Sequence, residues 1–238
     1  MQIMKYTTHL PVPPTASRRA ALFALGAIGA LGLVGTALLA PAQAAAQAAQ
    51  TTQTALEAPD VLIMRVGSEV IRQIKADPVL RGGDIDRIMV LVDGQLMPHV
   101  NFSRMTASAV GRFWRQATPE QRTRLQDEFK LLLVRTYSGA LSRLTDQVLA
   151  LRPSRFTPQD TEVVVRTELR GRSEPIQIDY RLERTPQGWK VFDINVMGIW
   201  LVDTFRNQFT TEINARGIDG LITALTERNR AGAAAARS

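Results

Sequence analysis

His99 is the one histidine outside the first 44 residues, so it is the place to look for acid–base or metal chemistry. The chain has no cysteine, which removes a thiol nucleophile, a disulfide framework, a Cys-ligated metal and a lipoprotein anchor together. No second histidine lies near His99, and a metal site is not expected. Serine hydrolysis would need His99 as base beside Ser103 or Ser108, yet no Gly-x-Ser-x-Gly elbow occurs. Two aspartates sit in strand-like runs. Asp179 falls on the polar face of its run by alternation; Asp193, between Phe192 and Ile194, is the better candidate for a carboxylate base in an apolar pocket. Pairing with an arginine is the commoner fate of such a group. Arg112, Arg115, Arg206 and Arg216 are guanidinium forks that suit a phosphate, although surface arginines usually have no such task.

The elements that position these residues follow from periodicity. From Trp189 to Met197 the pattern is that of a strand, bounded by Gly188 and Gly198. Leu201, Phe205, Phe209 and Ile213 then recur every four residues, with Ile199 and Val202 beside them, as one apolar stripe of a helix. Arg216 and Gly217 end it, and Asp219 is placed to cap a shorter helix with Leu221, Ile222 and Leu225 inside. Earlier in the chain, Ile63, Val66, Val70 and Ile74 predict a helix stopped by Asp77-Pro78, and Asp84 caps another ending near Gly94. Leu96 to Phe102 reads as a loop, with Asn101 or Ser103 opening a helix whose inner face is Met105, Ala109 and Phe113. Thr118-Pro119-Glu120-Gln121 is a capping box that starts a long helix reaching about Asp146. Strands follow: Val148 to Phe156, Glu162 to Arg170, and a strictly alternating run from Pro175 to Arg184 that puts Ile176, Ile178, Tyr180 and Leu182 on one face. The expected fold is α+β, with helices over one face of a twisted four-stranded antiparallel sheet.

Residues 1–44 combine a basic start, an apolar run from Ala20 to Ala40 and Ala42-Gln43-Ala44 as a cleavage site, and they read as a signal peptide. Ser17-Arg18-Arg19 leaves Sec and twin-arginine export both open, and an uncleaved anchor is the alternative. Residues 45–59 read as a disordered linker, 60–230 as one domain and 231–238 as a disordered tail. The formal charge of +7 divides into +3 in the first 44 residues and +4 beyond. No basic block with interleaved aromatics occurs, so a nucleic-acid partner is not expected.

Several ordered blocks resemble the MlaC family of periplasmic phospholipid-binding proteins, also known as toluene-tolerance or ABC-transporter auxiliary components. They are Pro98 to Phe102, Gly111-Arg112-Phe113-Trp114, Ala117 to Arg122, Phe129 to Tyr137, Asp193-Ile194, Gly198 to Val202, Phe205 to Phe209 and Gly217 to Leu221. The resemblance implies a non-enzymatic carrier with no cofactor beyond its bound lipid cargo. It implies a phospholipid, or a hopanoid in a related branch, as that cargo. Its implied partners are an inner-membrane MCE/ABC transporter complex and an outer-membrane lipoprotein–porin complex.

Carrying a lipid means hiding its chains. At about 0.8 kcal/mol per methylene, roughly 30 methylenes would cost on the order of 25 kcal/mol in water. An apolar cavity between helices and sheet is therefore expected. Its candidate lining is Leu91, Val92, Phe113, Phe129, Leu132, Leu133, Tyr137, Val165, Ile178, Tyr180, Val196, Ile199, Leu201, Phe205 and Phe209. By pattern alone these residues describe a packed core more readily than a cavity; only the resemblance favours the cavity.

Overall fold

The computed structural model describes residues 57–141 and 143–235. The predicted signal peptide and nearly all of the predicted linker lie outside them. Six helices are present, α1 (Pro59–Ala76), α2 (Pro78–Arg81), α3 (Ile85–Leu91), α4 (Phe102–Val110), α5 (Pro119–Leu141) and α6 (Leu201–Ala235). The strands are β1 (Val148–Leu151), β2 (Glu162–Arg170), β3 (Ile176–Thr185), β4 (Gly188–Val196) and β5 (Ile199–Trp200). They form one antiparallel sheet in the order β1-β2-β3-β4-β5.

Local chemistry accounts for most boundaries. Asp77 accepts the amides of Val79 and Leu80, Asp84 that of Arg87, and Asn101 that of Arg104, so each helix following them has a side-chain cap. The capping box at α5 is reciprocal. Gln121 donates its amide to the Thr118 hydroxyl at 3.2 Å, and Thr118 donates its own to Gln121 Oε1 at 3.0 Å.

Five expectations need correction. The long helix stops at Leu141 rather than Asp146, and the first strand at Leu151 rather than Phe156. Ile199 belongs to a fifth strand and not to the helix stripe, because Met197 (φ 52) and Gly198 (φ 90) form a two-residue turn that pairs Val196 with Ile199. Gly217 interrupts α6 as expected (φ 71, ψ −177), but the Asp219 carboxylate accepts the Gln121 side-chain amide at 2.8 Å. The helix also continues through Ala235, where the sequence reads as a frayed tail.

Three apolar clusters hold the layers together. The first joins α4, α5 and both parts of α6 around Phe129, whose ring meets Phe102, Phe205 and Phe209 at 5.7, 4.9 and 5.2 Å. The second packs Leu62 and Ile63 of α1 on Val163, Val165, Leu182, Trp189 and Val191 of the sheet. The third gathers Ile74, Leu80, Ile88, Leu91, Val134, Leu144 and Leu169.

One buried carboxylate ties the sheet to α6. Asp193 is 1% exposed. Its Oδ2 accepts Arg181 Nη1 at 2.9 Å from the facing position of β3. Its Oδ1 accepts the amides of Ile194 at 2.9 Å and Val202 at 3.1 Å, the latter an otherwise unpaired donor in the first turn of α6. Arg181 is stacked 3.8 Å over Trp200 of β5. Burial pushes the Asp193 carboxyl above the usual aspartate range, and the amides of Val202 and Ile194 and the Arg181 charge offset only part of that push.

Two predictions follow from this architecture. The Gly217 conformation is essentially restricted to glycine, so Gly217→Ala is expected to cost about 1–3 kcal/mol in urea unfolding. Asp193→Ala should cost about 3 kcal/mol, the low end for a broken buried pair because Arg181 keeps part of its hydration. The pH sign is set by the raised pKa. The folded state holds the Asp193 proton more tightly than the unfolded chain does, so this group favours folding in acid and loses its contribution as pH rises through the folded value. Wild type minus Asp193→Asn should therefore be largest near or below about pH 4 and shrink towards neutrality. A difference that grows with pH would show that the three donors outweigh burial.

Candidate functional site

The helix-facing side of the sheet can be followed row by row, because antiparallel partners share a face. The first row, Val163–Leu182–Val191, is fully buried under α1. There β4 carries an extra residue: Arg181 faces Asp193 while Leu182 faces Val191, leaving Phe192 as a bulge. The Phe192 ring lies 3.6 Å under the Arg104 guanidinium, which also holds Glu162 and Glu183. Beyond the bulge Ile194 and Val196 return to the inner face.

Burial then fades. In the row Val165–Tyr180–Ile194, Val165 is buried and the other two are half-buried. In the row Thr167–Ile178–Val196–Ile199 exposure climbs from 0% at Thr167 to 61% at Ile199. Ile176, opposite Leu169, is 40% exposed, and Met197 at the β4–β5 turn 61%. The inner face is thus sealed at one corner and open at the opposite one, where Ile176, Met197 and Ile199 form an apolar rim. Tyr180 sits between the two. Its side chain is partly accessible, yet burial pushes its hydroxyl up to about 12. Tyr180, Ile194, Ile178 and Val196 thus form a partly covered apolar strip leading from the sealed row to the rim.

The predicted lining divides accordingly. Leu91, Phe129, Leu132, Val165, Leu201, Phe205 and Phe209 are buried, with the three phenylalanines in ring contact, and they form core instead of an open wall. Val92, Phe113, Leu133, Tyr137, Ile178, Tyr180 and Val196 are half-buried. Of these, Leu133 and Tyr137 border the first cluster, Tyr180 the second, and Val92 and Ile178 the third. Ile199 is corrected from lining to rim. Two open clefts of about 300 and 230 Å³ lie elsewhere on the molecule, and none of the fifteen lines them. Ile194, Ile176 and Met197 were missed as members of the site. The β3 alternation already placed Ile176 on the inner face, whereas the bulge hid the phase of Ile194.

The chemical candidates resolve into structural roles. Asp193 has three donors and no open pocket. Asp179, on the outer face as alternation predicts, lies 3.6 Å from Arg152 and 4.0 Å from Arg166. His99 is half-buried on a 3₁₀ turn, with its pKa lowered by burial and by Arg65 and Lys190. Ser103 is exposed, and Ser108 offers its carbonyl to Arg206 at 2.9 Å. Arg216 pairs with Glu212 and Arg112 lies over Phe113, while Arg115 is exposed. Among the described residues no group of three or more His, Asp or Glu could hold a metal, and no helix is long and apolar enough to cross a membrane.

Comparison with known proteins fits this geometry. A phospholipid-binding protein from Ralstonia solanacearum, solved in complex with a phospholipid, superposes with a TM-score of 0.72 at 45% identity, covering 74% of this chain and 99% of that one. The intermembrane phospholipid transport system binding protein MlaC of Haemophilus influenzae is 24% identical over 175 residues, 71% of this chain and 81% of its own. The toluene tolerance protein ttg2D of Pseudomonas putida is 25% identical over 167 residues, 69% and 77% of the respective chains. The sequence profile of the MlaC protein family matches residues 64–227, so the chain belongs to the MlaC family.

Proposed function

We propose that this protein is a periplasmic carrier that takes up a phospholipid by its acyl chains and passes it between membrane complexes, without a covalent step and without a cofactor. The observation that carries this reading is the partly covered apolar strip over β3 and β4, running from the Ile176–Ile199 rim down to Tyr180. The relative from Ralstonia solanacearum, 45% identical and bound to a phospholipid, supports the same cargo class. Physically, the site offers apolar area for chains and no built pocket for a head group. Binding by chains alone tolerates different head groups.

Transfer then needs a donor and an acceptor. On this reading they are an inner-membrane MCE/ABC transporter complex and an outer-membrane lipoprotein–porin complex, reached after removal of the N-terminal signal peptide. The same apolar strip offers a surface for the fused rings of a hopanoid, and cargo analysis separates the two.

The test is native mass spectrometry of the exported protein, followed by organic extraction and lipid analysis. About one phospholipid per chain is expected, since the inner face of the sheet offers one such apolar strip. A hopanoid would redirect the cargo assignment. A mass that stays lipid-free after incubation with vesicles would overturn the carrier reading. Ile178→Glu places a charge on the partly covered apolar strip and is expected to lower co-purifying lipid at least about tenfold while the far-ultraviolet circular dichroism stays native.

A further inference from the structure

Lipid chains need apolar room that the three packed clusters do not leave between helices and sheet, so part of the helical layer has to move. We infer that the segment Val92–His99 is the movable wall, a strap that swings between α1 and α5 to admit the chains. This inference rests on the carrier reading and names the element that gates it.

The strap interrupts the helical layer with a different backbone. Val92–Leu96 is a single π-helical turn, a wide geometry that is rare and concentrated at functional sites, and Met97–His99 continues as a 3₁₀ turn. No residue from Val92 to Asn101 is buried, in contrast to Leu91 before it and Phe102 after it. Gly94 has open space on its side-chain side. Both flanks are hollow. The larger cleft separates the strap, through Gln95 and His99, from Arg65, Ser68, Glu69 and Arg72 of α1. The smaller lies between Met97 and the α5 residues Thr123, Gln126, Asp127 and Lys130.

What the strap covers explains why moving it matters. Val92 borders the third apolar cluster, Met97 the first, and Val100 both the first and the second. Val92 and Met97 therefore place the strap across the seam between the third and first clusters, and lifting it exposes that seam while Val100 stays in place. Its restraints are few. Asp93 pairs with Lys130 at 2.8 Å, with the Asp93 side chain 52% exposed, and Lys190 donates to the Pro98 carbonyl. Exposed pairs of this kind contribute little. Among the described residues the side chains of Gln95 and His99 have no hydrogen-bond partner. Beyond the strap the backbone is firmly held, because Asn101 donates to the Val191 carbonyl and Val100 bridges to Val191. That fixed end makes the segment a hinged flap.

The absence of native cysteine makes the test clean. Asp93→Cys with Lys130→Cys is joined by a short bis-methanethiosulfonate tether, which reductant removes, and uptake of a fluorescent phospholipid from phosphatidylethanolamine–phosphatidylglycerol vesicles is followed. The tethered protein is expected to load at least about tenfold more slowly and to recover wild-type uptake on reduction. Tethered protein that loads at the reduced rate would overturn the strap. Failure of the wild type itself to load would overturn the carrier reading instead. Should the untethered pair disturb loading, Ser68→Cys with Gln95→Cys poses the same question across the other cleft, with the same two outcomes.

Discussion

The arrangement depends on Asp193. A carboxylate that is 1% exposed would be costly alone, and it persists because three donors from three elements converge on it: Arg181 from β3, its own neighbour Ile194 in β4, and Val202 at the start of α6. The geometry requires the bulge at Phe192, which resets the phase of β4 so that Asp193 faces Arg181 outside while Ile194 and Val196 face the helices inside. It also requires the tight turn at Met197-Gly198, which brings Trp200 under Arg181 and aims the first amides of α6 back at the sheet. Bulge, turn and helix start are consequences of one buried charge.

That anchoring divides the molecule into a stiff part and a loose part. Where β4 meets α6 and α1 covers the first inner row, polar groups are paired and apolar side chains are sealed. Away from it the inner face runs out from Tyr180 to the Ile176–Ile199 rim with little over it. A carrier needs this asymmetry. A uniformly packed interior at native density has no room for a chain and resists deformation, while a uniformly loose one would not fold. Here the strong polar tie holds the sheet and α6 in place while the weakly covered side can change its packing.

Much of the fold was legible in the sequence because local chemistry determines it. The capping box at Thr118 and Gln121, the caps at Asp84 and Asn101, the break at Gly217 and the alternation in β3 are short-range patterns, and each appears in the structure. The site was less legible. Leu91, Phe129 and Phe205 have the same residue types and spacing as a crevice wall, yet they are core; the difference lies in what packs opposite, which periodicity does not record. Ile199 was misplaced for a related reason. Its spacing to Leu201 and Phe205 suits a helix, and only the left-handed Met197-Gly198 pair, a poor propensity signal at methionine, turns it into a strand. The fate of Asp193 was half visible: pairing with an arginine is what such a group usually does, but Arg181 as the partner emerges only when the bulged register is known.

The strap marks where the two demands on a carrier meet. A continuous α-helix from Asp84 to His99 would bury its apolar stripe and join the third cluster to the first, closing the molecule. A flexible loop would expose Val92, Met97 and Val100 to water. A π turn followed by a 3₁₀ turn does neither, because it keeps backbone hydrogen bonds while forcing side chains off the 3.6-residue stripe, so that Val92 touches the third cluster and Met97 the first, and neither is buried. Separate shallow contacts are each cheap to break, and together they still cover the seam. Opening then needs no unfolding of α1 or α5, and the free energy of burying acyl methylenes offsets the contacts the strap gives up.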